Sequence, residues 1–187
     1  IKGLGVYLRA HPVSVYATKA TIKDVLNSSS IGKVDMELFE EIDSDEEFTV
    51  GNLKVNSIST SHDASDSVCF RFDDGQKSCA IVTDLGYYHE DMVDSLQDLN
   101  AILIEANHDL KMLEVGPYPY SLKMRVWGDE GHLSNEACGQ LLSEIVSDKM
   151  QYIILGHLSK ENNYPELAFE TVRNELMFND IDLNDMG

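Results

Sequence analysis

Short apolar runs bounded by polar turns recur along the chain, and runs of this length predict buried β-strands. Two pairs of runs predict hairpins, one over residues 48–60 that turns at Gly51-Asn52 and one over residues 69–84 that turns at Asp74-Gly75. The second pair of turn residues suits a type I′ turn. The acidic segment 37–47 is interrupted by apolar residues, which favours an edge strand and turn over disorder. Single strands are predicted at residues 13–17, 101–105 and 151–155.

Apolar residues at helical spacing occupy much of the sequence between these strands. Pro12 predicts the end of the first helix, because the residue before a proline is pushed out of the helical region. Pro165 in a first turn, just after Asn162-Asn163, matches a favoured start for the last helix. GPYPY, at 116–120, predicts an irregular loop. Helices are predicted at residues 1–10, 18–26, 90–99, 134–146 and 165–178, and a further helical stretch with Lys123 and Arg125 follows the GPYPY loop. This alternation predicts α/β layers in a single domain over residues 1–187.

Four of the apolar runs end on side chains that can hold a metal ion or move a proton. VNSISTSH ends at His62, AIVTD at Asp84 and YIILGH at His157, and ILIEANH carries Glu105 and His108. Open α/β sheets bind ligands beyond the carboxyl ends of their strands. A buried His, Asp or Glu must be paired or bound to a metal to offset its desolvation. We therefore expect these strand ends to converge on one site.

His62, Asp84 and His157 are the candidate metal ligands, because imidazole and carboxylate are the groups that divalent ions accept at hydrolytic sites. Taken singly, each is more often a hydrogen-bonded structural residue. Asp84, within TDLG, also has the alternative role of a turn former or helix cap. Spacing alone therefore leaves both interpretations open. The same ligand set admits zinc, manganese or iron.

Composition limits the classes of partner. The chain has 33 acidic and 14 basic residues, a formal net charge of -19. An extended nucleic-acid surface needs dense Lys and Arg, so any nucleic acid must be held at a local site. No apolar run reaches the length of a membrane span, and no signal peptide is visible. The odd number of cysteines, without CxxC spacing, indicates a reducing compartment, and we expect a cytoplasmic location.

Longer motifs resemble one family of hydrolases. SHDASDSVCFRF, AIVTDLG, LIEANHD, GPYPYSLKMRVWGDEGHLSNEACG and YIILGHLSKENNYPELA occur in this order and look like the YycJ/VicX group of the metallo-β-lactamase superfamily. The similarity extends from Ile1 to about residue 178. It implies an αββα sandwich and two divalent metal ions, with His62, a bridging Asp84 and His157 as ligands. It also implies a phosphodiesterase or nuclease, since some members are regarded as 5′-to-3′ DNA exonucleases.

The resemblance also assigns expectations to residues around the ligands. In the related transfer-RNA-processing nucleases, a His before a helix acts beside the metals on the leaving oxygen or the phosphate. This implies a catalytic role for His132 in GDEGHLSNEA, with capping or packing as the alternative. Glu105 and His108 are expected to orient metal-bound imidazoles rather than to bind the ions. Independently of the resemblance, Tyr118 and Tyr120 could stack a base, with loop packing beside two prolines as the alternative. The cations that could meet phosphate are Arg71, Lys123, Arg125 and Lys160.

The largest departure from the family is at the beginning of the chain. Members carry an HxHxDH motif on the loop that opens a helix similar to IKGLGVYLR, and this sequence starts where that motif should just have ended. We therefore expect a sandwich without its N-terminal strands, as a fragment of a longer protein, with a degenerate, metal-poor version as the alternative. A noncatalytic or regulatory module, or a lactonase or thioesterase, stays open beside the nuclease. The sequence predicts no oligomeric state.

Overall fold

The strands form two sheets in the computed structural model, which describes residues 1–181. In chain order they are β1 (Val15–Thr18), β2 (Phe39–Ile42), β3 (Glu47–Val50), β4 (Leu53–Ser59), β5 (Val68–Asp73), β6 (Ser78–Val82), β7 (Ala101–Glu105) and β8 (Tyr152–Gly156). A small sheet pairs β1 with β2 in parallel. The large sheet contains β3 to β8 in sequential order. Its pairs are antiparallel from β3 to β6 and parallel from β6 to β8.

Seven α-helices lie before, between and after these strands within the described residues. They are α1 (Lys2–Ala10), α2 (Lys19–Asn27), α3 (Glu90–Ser95), α4 (Leu110–Val115), α5 (Tyr120–Trp127), α6 (Asn135–Ile145) and α7 (Pro165–Phe178). Ser134 caps α6, because its hydroxyl accepts a hydrogen bond from the Ala137 N–H. Among residues 1–181, no helix combines the length and the apolar character that crossing a membrane requires.

The core lies between the large sheet and the helices α3, α6 and α7. Alternate residues of the central strands point into it, because successive side chains of a strand face opposite sides of the sheet. The buried residues include Ala80 and Val82 of β6, Ile102 and Ile104 of β7, and Leu141, Leu142 and Ile145 of α6. This layer holds the carboxyl ends of the strands rigidly beside one another.

The opposite face of the large sheet is also apolar. Strand register aligns Phe70, Ile81, Leu103 and Ile154 in one row across β5 to β8. Ile81 and Ile154 are 48% and 54% exposed. Apolar residues on both faces are typical of strands that are covered on both sides, as in the layered sandwich that the sequence predicts.

The two predicted hairpins are present, but only one has a two-residue turn. Val50 pairs with Leu53, and Gly51 takes a positive φ of 63° at the first central position of the turn. The type I′ turn predicted at Asp74-Gly75 is wrong, since Asp73 pairs with Ser78 across a four-residue loop. The Asp74 carboxylate accepts hydrogen bonds from the backbone N–H groups of Gln76 and Lys77. These side-chain bonds stabilise the longer loop.

The helix predictions differ from the structure in two places. The helix predicted at 90–99 ends at Ser95, and Leu96 and Leu99 turn into the core through the loop that follows. Asp98 in this loop adopts a positive φ of 61°, in the left-handed region. The sequence pattern did not predict α4, which the Asp109 side chain caps by accepting a hydrogen bond from the Met112 N–H.

Candidate metal centre

Three imidazoles converge on one oxygen of the Asp84 carboxylate. Asp84 Oδ1 lies 3.6 Å from His62 Nε2, 3.7 Å from His157 Nε2 and 3.8 Å from His132 Nδ1. The expectation that the ends of the apolar runs meet is therefore correct for His62, Asp84 and His157. His132, from a loop rather than a strand end, joins them.

The sheet topology explains why these side chains meet. β4 and β6 both run antiparallel to β5, and β7 and β8 run parallel to β6. The carboxyl ends of β4, β6, β7 and β8 therefore lie at the same edge of the sheet. His62, Asp84, Glu105 and His157 occupy the last position of their strands or the first three positions after them. The cluster forms where open α/β sheets place their ligands.

Two of these residues have backbone conformations that are uncommon for side-chain-bearing residues. Asp84 has φ 61° and His157 has φ 54°, both in the left-handed region. Asp and His tolerate this region better than most residues, but it still carries a conformational cost. The carbonyl of His157 accepts a hydrogen bond of 2.8 Å from the Asn107 side-chain amide, which helps to hold this turn.

Glu105 is the buried centre of the hydrogen-bond network under the cluster. Its Oε1 accepts hydrogen bonds of 2.7 Å from Nδ1 of His132 and from Nδ1 of His157, and its Oε2 accepts one from the Leu85 N–H. Burial opposes ionisation of the Glu105 carboxyl, but the two imidazole N–H groups outweigh it and hold the pKa below its ordinary value. The hydrogen bond to Glu105 raises the pKa of His157 against the opposing effect of burial.

The donor atoms in this cluster fit a divalent ion. His62 Nδ1 donates to the Gly131 carbonyl over 2.8 Å, and His157 Nδ1 donates to Glu105, so each ring keeps a lone pair on the Nε2 atom that faces Asp84. Orientation of metal-binding imidazoles through the opposite nitrogen is the usual arrangement at metal sites. Within residues 1–181, two groups have ligand atoms within 4.8 Å of one another, namely His62, Asp84 and His132, and Glu105, His132 and His157.

His132 lies between the other two imidazoles. Its ring centroid is 5.0 Å from that of His62 and 5.2 Å from that of His157. Because Nδ1 donates to Glu105, the opposite nitrogen, Nε2, is the atom left for a further ligand or a substrate. The backbone N–H of His132 donates to the Val126 carbonyl, which ties the residue to the end of α5.

Two glycines allow the loops of the site to approach closely. A Cβ atom on Gly86 would overlap the backbone of Gly128 and Asp129, and one on Gly131 would overlap the carbonyl oxygens of Arg125 and Val126. Gly131 also supplies the carbonyl that accepts from His62. Any larger residue at either position has to displace backbone next to the cluster.

His108 differs from the expectation that it orients a metal-bound imidazole. Its side chain is buried, and neither ring nitrogen has a hydrogen-bond partner among the described residues. Glu105 and His108 belong to the same motif, ILIEANH, but Glu105 is the last residue of β7 and His108 lies three residues beyond it, and of the two only Glu105 forms hydrogen bonds with the cluster. Burial lowers the pKa of His108 to about 4, although the nearby Glu105 charge opposes this.

The neutral His108 predicts an acid-sensitive component of stability. The unfolded chain binds a proton at His108 below the ordinary histidine pKa of 6.5, whereas the folded protein resists protonation down to about 4. Stability is therefore complete above 6.5 and falls as the pH approaches 4. Acidification from pH 7 to 4.5 should lower the unfolding free energy of the parent and of the His108→Leu variant. The decrease should be about 2 kcal/mol smaller in the variant.

Urea titrations at the two pH values measure this difference. His11→Leu is the matched control, because His11 is exposed and should be hydrated in both states. An acid loss of stability that is the same in His108→Leu and the parent would contradict the prediction.

A buried network of asparagines lies behind the cluster, and the sequence pattern did not assign it this role. The Asn163 amide donates to the carbonyls of Ala106 and Asn107, and it exchanges hydrogen bonds with the Asn135 side chain. The sequence pattern indicates for Asn163 only a place at a helix start. The signal that could have revealed the network is the recurrence of asparagine a few residues after Glu105, His132 and His157, in ANHD, LSNE and ENNY.

The cations that could contact a nucleic acid have different partners in the structure. Arg71 donates to the carbonyls of Ser95 and Gln97, which gives it a structural contact between β5 and the end of α3. Lys123 donates to the Glu114 carbonyl. Arg125 instead forms an ion pair with Asp63, the residue after His62. Spacing could not predict this pair, because the two residues are distant in sequence.

Comparison with known proteins identifies the family. A family model described as a beta-lactamase superfamily domain matches residues 2–154. The chain belongs to this superfamily. An exodeoxyribonuclease WalJ from Streptococcus pneumoniae serotype 2 (strain D39) is 38% identical over 176 residues, which cover 94% of this chain and 65% of that protein. An exodeoxyribonuclease YycJ from Bacillus anthracis is 34% identical over 176 residues, which cover 90% of this chain and 63% of that protein.

These relatives confirm the YycJ-like group that the motifs predicted. The chain spans somewhat less than two thirds of the length of each. Among solved structures, the metallo-beta-lactamase fold protein YhfI from Bacillus subtilis matches 94% of this chain and 64% of its own, with a TM-score of 0.62 and 15% identity. Zn(2+)-bound PqqB from Methylobacterium extorquens matches 94% and 62%, with a TM-score of 0.65 and 19% identity. The fold is therefore confirmed as that of the metallo-β-lactamases, a fold that implies divalent metal ions.

Proposed function

We propose that the full-length protein is a metal-dependent phosphodiesterase that acts on DNA, with His62, Asp84 and His157 as ligands of two divalent ions. One observation carries this proposal. Nε2 of His62 and Nε2 of His157 face the same Asp84 oxygen, and each ring is oriented by a hydrogen bond from its Nδ1. A carboxylate oxygen shared by two oriented imidazoles is the arrangement expected of a bridging ligand.

The ions would supply the hydrolytic chemistry. Bound divalent ions activate water and neutralise the charge that develops on the attacking and leaving oxygens of a phosphodiester. Zinc and manganese fit the His and carboxylate donors best, and iron is also compatible.

His132 is proposed as the residue that protonates the leaving oxygen. Its Nδ1–H is held by the buried Glu105 carboxylate, so Nε2 is the atom that would carry and release the proton. A carboxylate behind an imidazole fixes the ring and stabilises its protonated form, as in other acid–base pairs. Glu105 holds His157 in the same way, and it thereby links the proposed acid to a proposed ligand.

The substrate class follows from the relatives and from the charge. Both curated relatives are named exodeoxyribonucleases, which supports DNA as the substrate. The net charge of -19 argues for contact with a few nucleotides at the site rather than along an extended surface.

The cysteines Cys69, Cys79 and Cys138 are all free thiols, which suits the predicted cytoplasmic location.

The test is a substrate panel with the purified full-length protein and a parallel metal analysis. We expect about two divalent ions per chain, hydrolysis of a single-stranded oligodeoxynucleotide and of bis(4-nitrophenyl) phosphate, and no comparable turnover of a lactone or thioester. A chelator should abolish turnover, and divalent ions should restore it. Turnover confined to the lactone or thioester would overturn the phosphodiesterase assignment. Substoichiometric metal without turnover of any substrate would indicate a noncatalytic module.

A further inference from the structure

Arg125 is bound to the metal-site loop by a two-pronged ion pair. Its Nε and Nη2 atoms donate to the two oxygens of the Asp63 carboxylate, with the Nη2 bond at 2.8 Å. The guanidinium lowers the pKa of Asp63 and keeps that carboxylate charged. A fork-to-fork pair of this kind fixes the orientation of the guanidinium plane as well as its position.

The pair lies directly beside the candidate metal centre. The same Asp63 oxygen that accepts from Arg125 Nη2 is 3.6 Å from His62 Nε2. The Arg125 backbone lies against the loop of His132, because a Cβ atom on Gly131 would overlap the Arg125 carbonyl oxygen. Arg125 is therefore connected to the proposed metal ligand His62 through the Asp63 carboxylate, and it is not itself a ligand.

One edge of the guanidinium remains available. The Arg125 side chain is 52% exposed, and its Nη1 makes no hydrogen bond to any residue in 1–181. Within that range, Arg125 is also the only Lys or Arg that forms an ion pair with a carboxylate of the cluster or its loop, namely Asp63, Asp84 or Glu105.

We propose that the free edge of Arg125 binds a phosphate of the DNA strand that neighbours the scissile phosphate, with Asp63 holding the guanidinium in position. This inference rests on the proposed function and names a binding contact for its substrate. A planar guanidinium can bind a carboxylate through one edge and a phosphate through the other. Because Asp63 fixes the Arg125 side chain before the substrate binds, the contact costs little side-chain conformational entropy.

The alternative is that Arg125 only positions the His62 loop through Asp63. The two roles differ in what they predict for a substrate with a single phosphate. Bis(4-nitrophenyl) phosphate has no neighbouring phosphate, so it does not use the proposed contact. Loss of loop positioning would impair this small substrate and the oligonucleotide alike, whereas loss of a phosphate contact would impair the oligonucleotide alone.

The experiment compares Arg125→Ala with the parent full-length protein on both substrates. We expect KM for a single-stranded oligodeoxynucleotide to rise about 10- to 100-fold, the range for one hydrogen bond to a charged group. Turnover of bis(4-nitrophenyl) phosphate and metal content should stay within about twofold of the parent. The slope of log KM against log salt concentration should become shallower by about 0.7, the value for one phosphate contact to a single strand.

Two further variants serve as controls. Lys123→Ala removes a positive charge from the same helix, where Lys123 bonds only the Glu114 carbonyl, and it should leave the salt slope unchanged. Asp63→Asn weakens the ion pair but keeps the cation, so it should retain the parental salt slope. Arg125→Gln, a polar replacement on the exposed helix surface, should give the same result as Arg125→Ala. Agreement between the two variants would show that the result does not come from misfolding of Arg125→Ala.

Two results would overturn the inference. One is an equal loss on both substrates, and the other is an unchanged salt slope in Arg125→Ala and Arg125→Gln. A parent protein that hydrolyses neither phosphodiester would instead refute the proposed function itself. The two failures are therefore distinguishable.

Discussion

The Asp84→Asn variant is expected to lose at least about 10³-fold in kcat and to retain fewer than one of the two proposed ions. Among residues 1–181, Asp84 is the one carboxylate that lies within 3.8 Å of all three imidazoles, those of His62, His132 and His157. Asparagine has nearly the same shape and tolerates the left-handed backbone that this position requires, at φ 61°. The substitution therefore removes the charge and one oxygen donor while preserving the local fold. A 10³-fold loss corresponds to about 4 kcal/mol of transition-state stabilisation.

Asp66→Asn is the matched control for this substitution. Asp66 also has a positive φ, of 50°, but it belongs to neither group of candidate metal ligands within the described residues. Its variant should keep parental turnover and metal content, as measured by steady-state kinetics on bis(4-nitrophenyl) phosphate and by elemental analysis. Near-parental turnover in Asp84→Asn would remove Asp84 from the catalytic centre.

The position of the candidate site could be predicted because the strands carry it. His62, Asp84, Glu105 and His157 each follow a short apolar run, and such runs are easy to recognise as buried strands. Four strands that run in one direction must end at one edge of the sheet. Sequence order along the chain was therefore sufficient to bring these residues together, and the family resemblance added their proposed roles.

The contacts between loops could not be predicted in the same way. The hydrogen bond from His132 to Glu105 and the ion pair of Arg125 with Asp63 join segments that are far apart in sequence. Their geometry depends on close backbone approach at Gly131, which no periodic pattern encodes. His108 shows that closeness in sequence does not by itself predict a contact. It is close to Glu105 in sequence, yet its side chain makes no hydrogen bond within the described residues.

Local side-chain chemistry accounts for the remaining differences. The Asp74 carboxylate binds backbone N–H groups and converts an expected two-residue turn into a longer loop. The Asp109 carboxylate caps a short helix that has too few apolar positions to show a clear period. In both places, an aspartate side chain competes with or completes backbone hydrogen bonds, and periodicity arguments do not include this effect.

The Glu105→Gln variant is expected to be less stable and to bind metal more weakly. Glu105 is completely buried and accepts three hydrogen bonds, from His132, His157 and the Leu85 N–H. Glutamine offers one acceptor oxygen, so its NH₂ group must face either the imidazole donors or the Leu85 donor. At least one buried donor then loses its partner, which costs about 1–3 kcal/mol, and more where a charged group is involved. We expect the unfolding free energy of the metal-free protein to fall by about 2–4 kcal/mol.

Metal affinity should fall as well, because Glu105 orients the Nε2 lone pair of His157 toward Asp84. Loss of such an orienting partner lowers metal affinity by about 10- to 100-fold. Urea unfolding with chelator present and competition titration with a metal indicator measure the two effects separately. Glu144→Gln is the control, since Glu144 is an exposed carboxylate that accepts one hydrogen bond from Tyr88, and its loss should change neither quantity appreciably. If Glu105→Gln keeps parental metal affinity, the buried carboxylate does not orient a ligand. The Asn107 side-chain amide, which donates to the His157 carbonyl, would then be the remaining hydrogen bond that holds this residue within the described part of the chain.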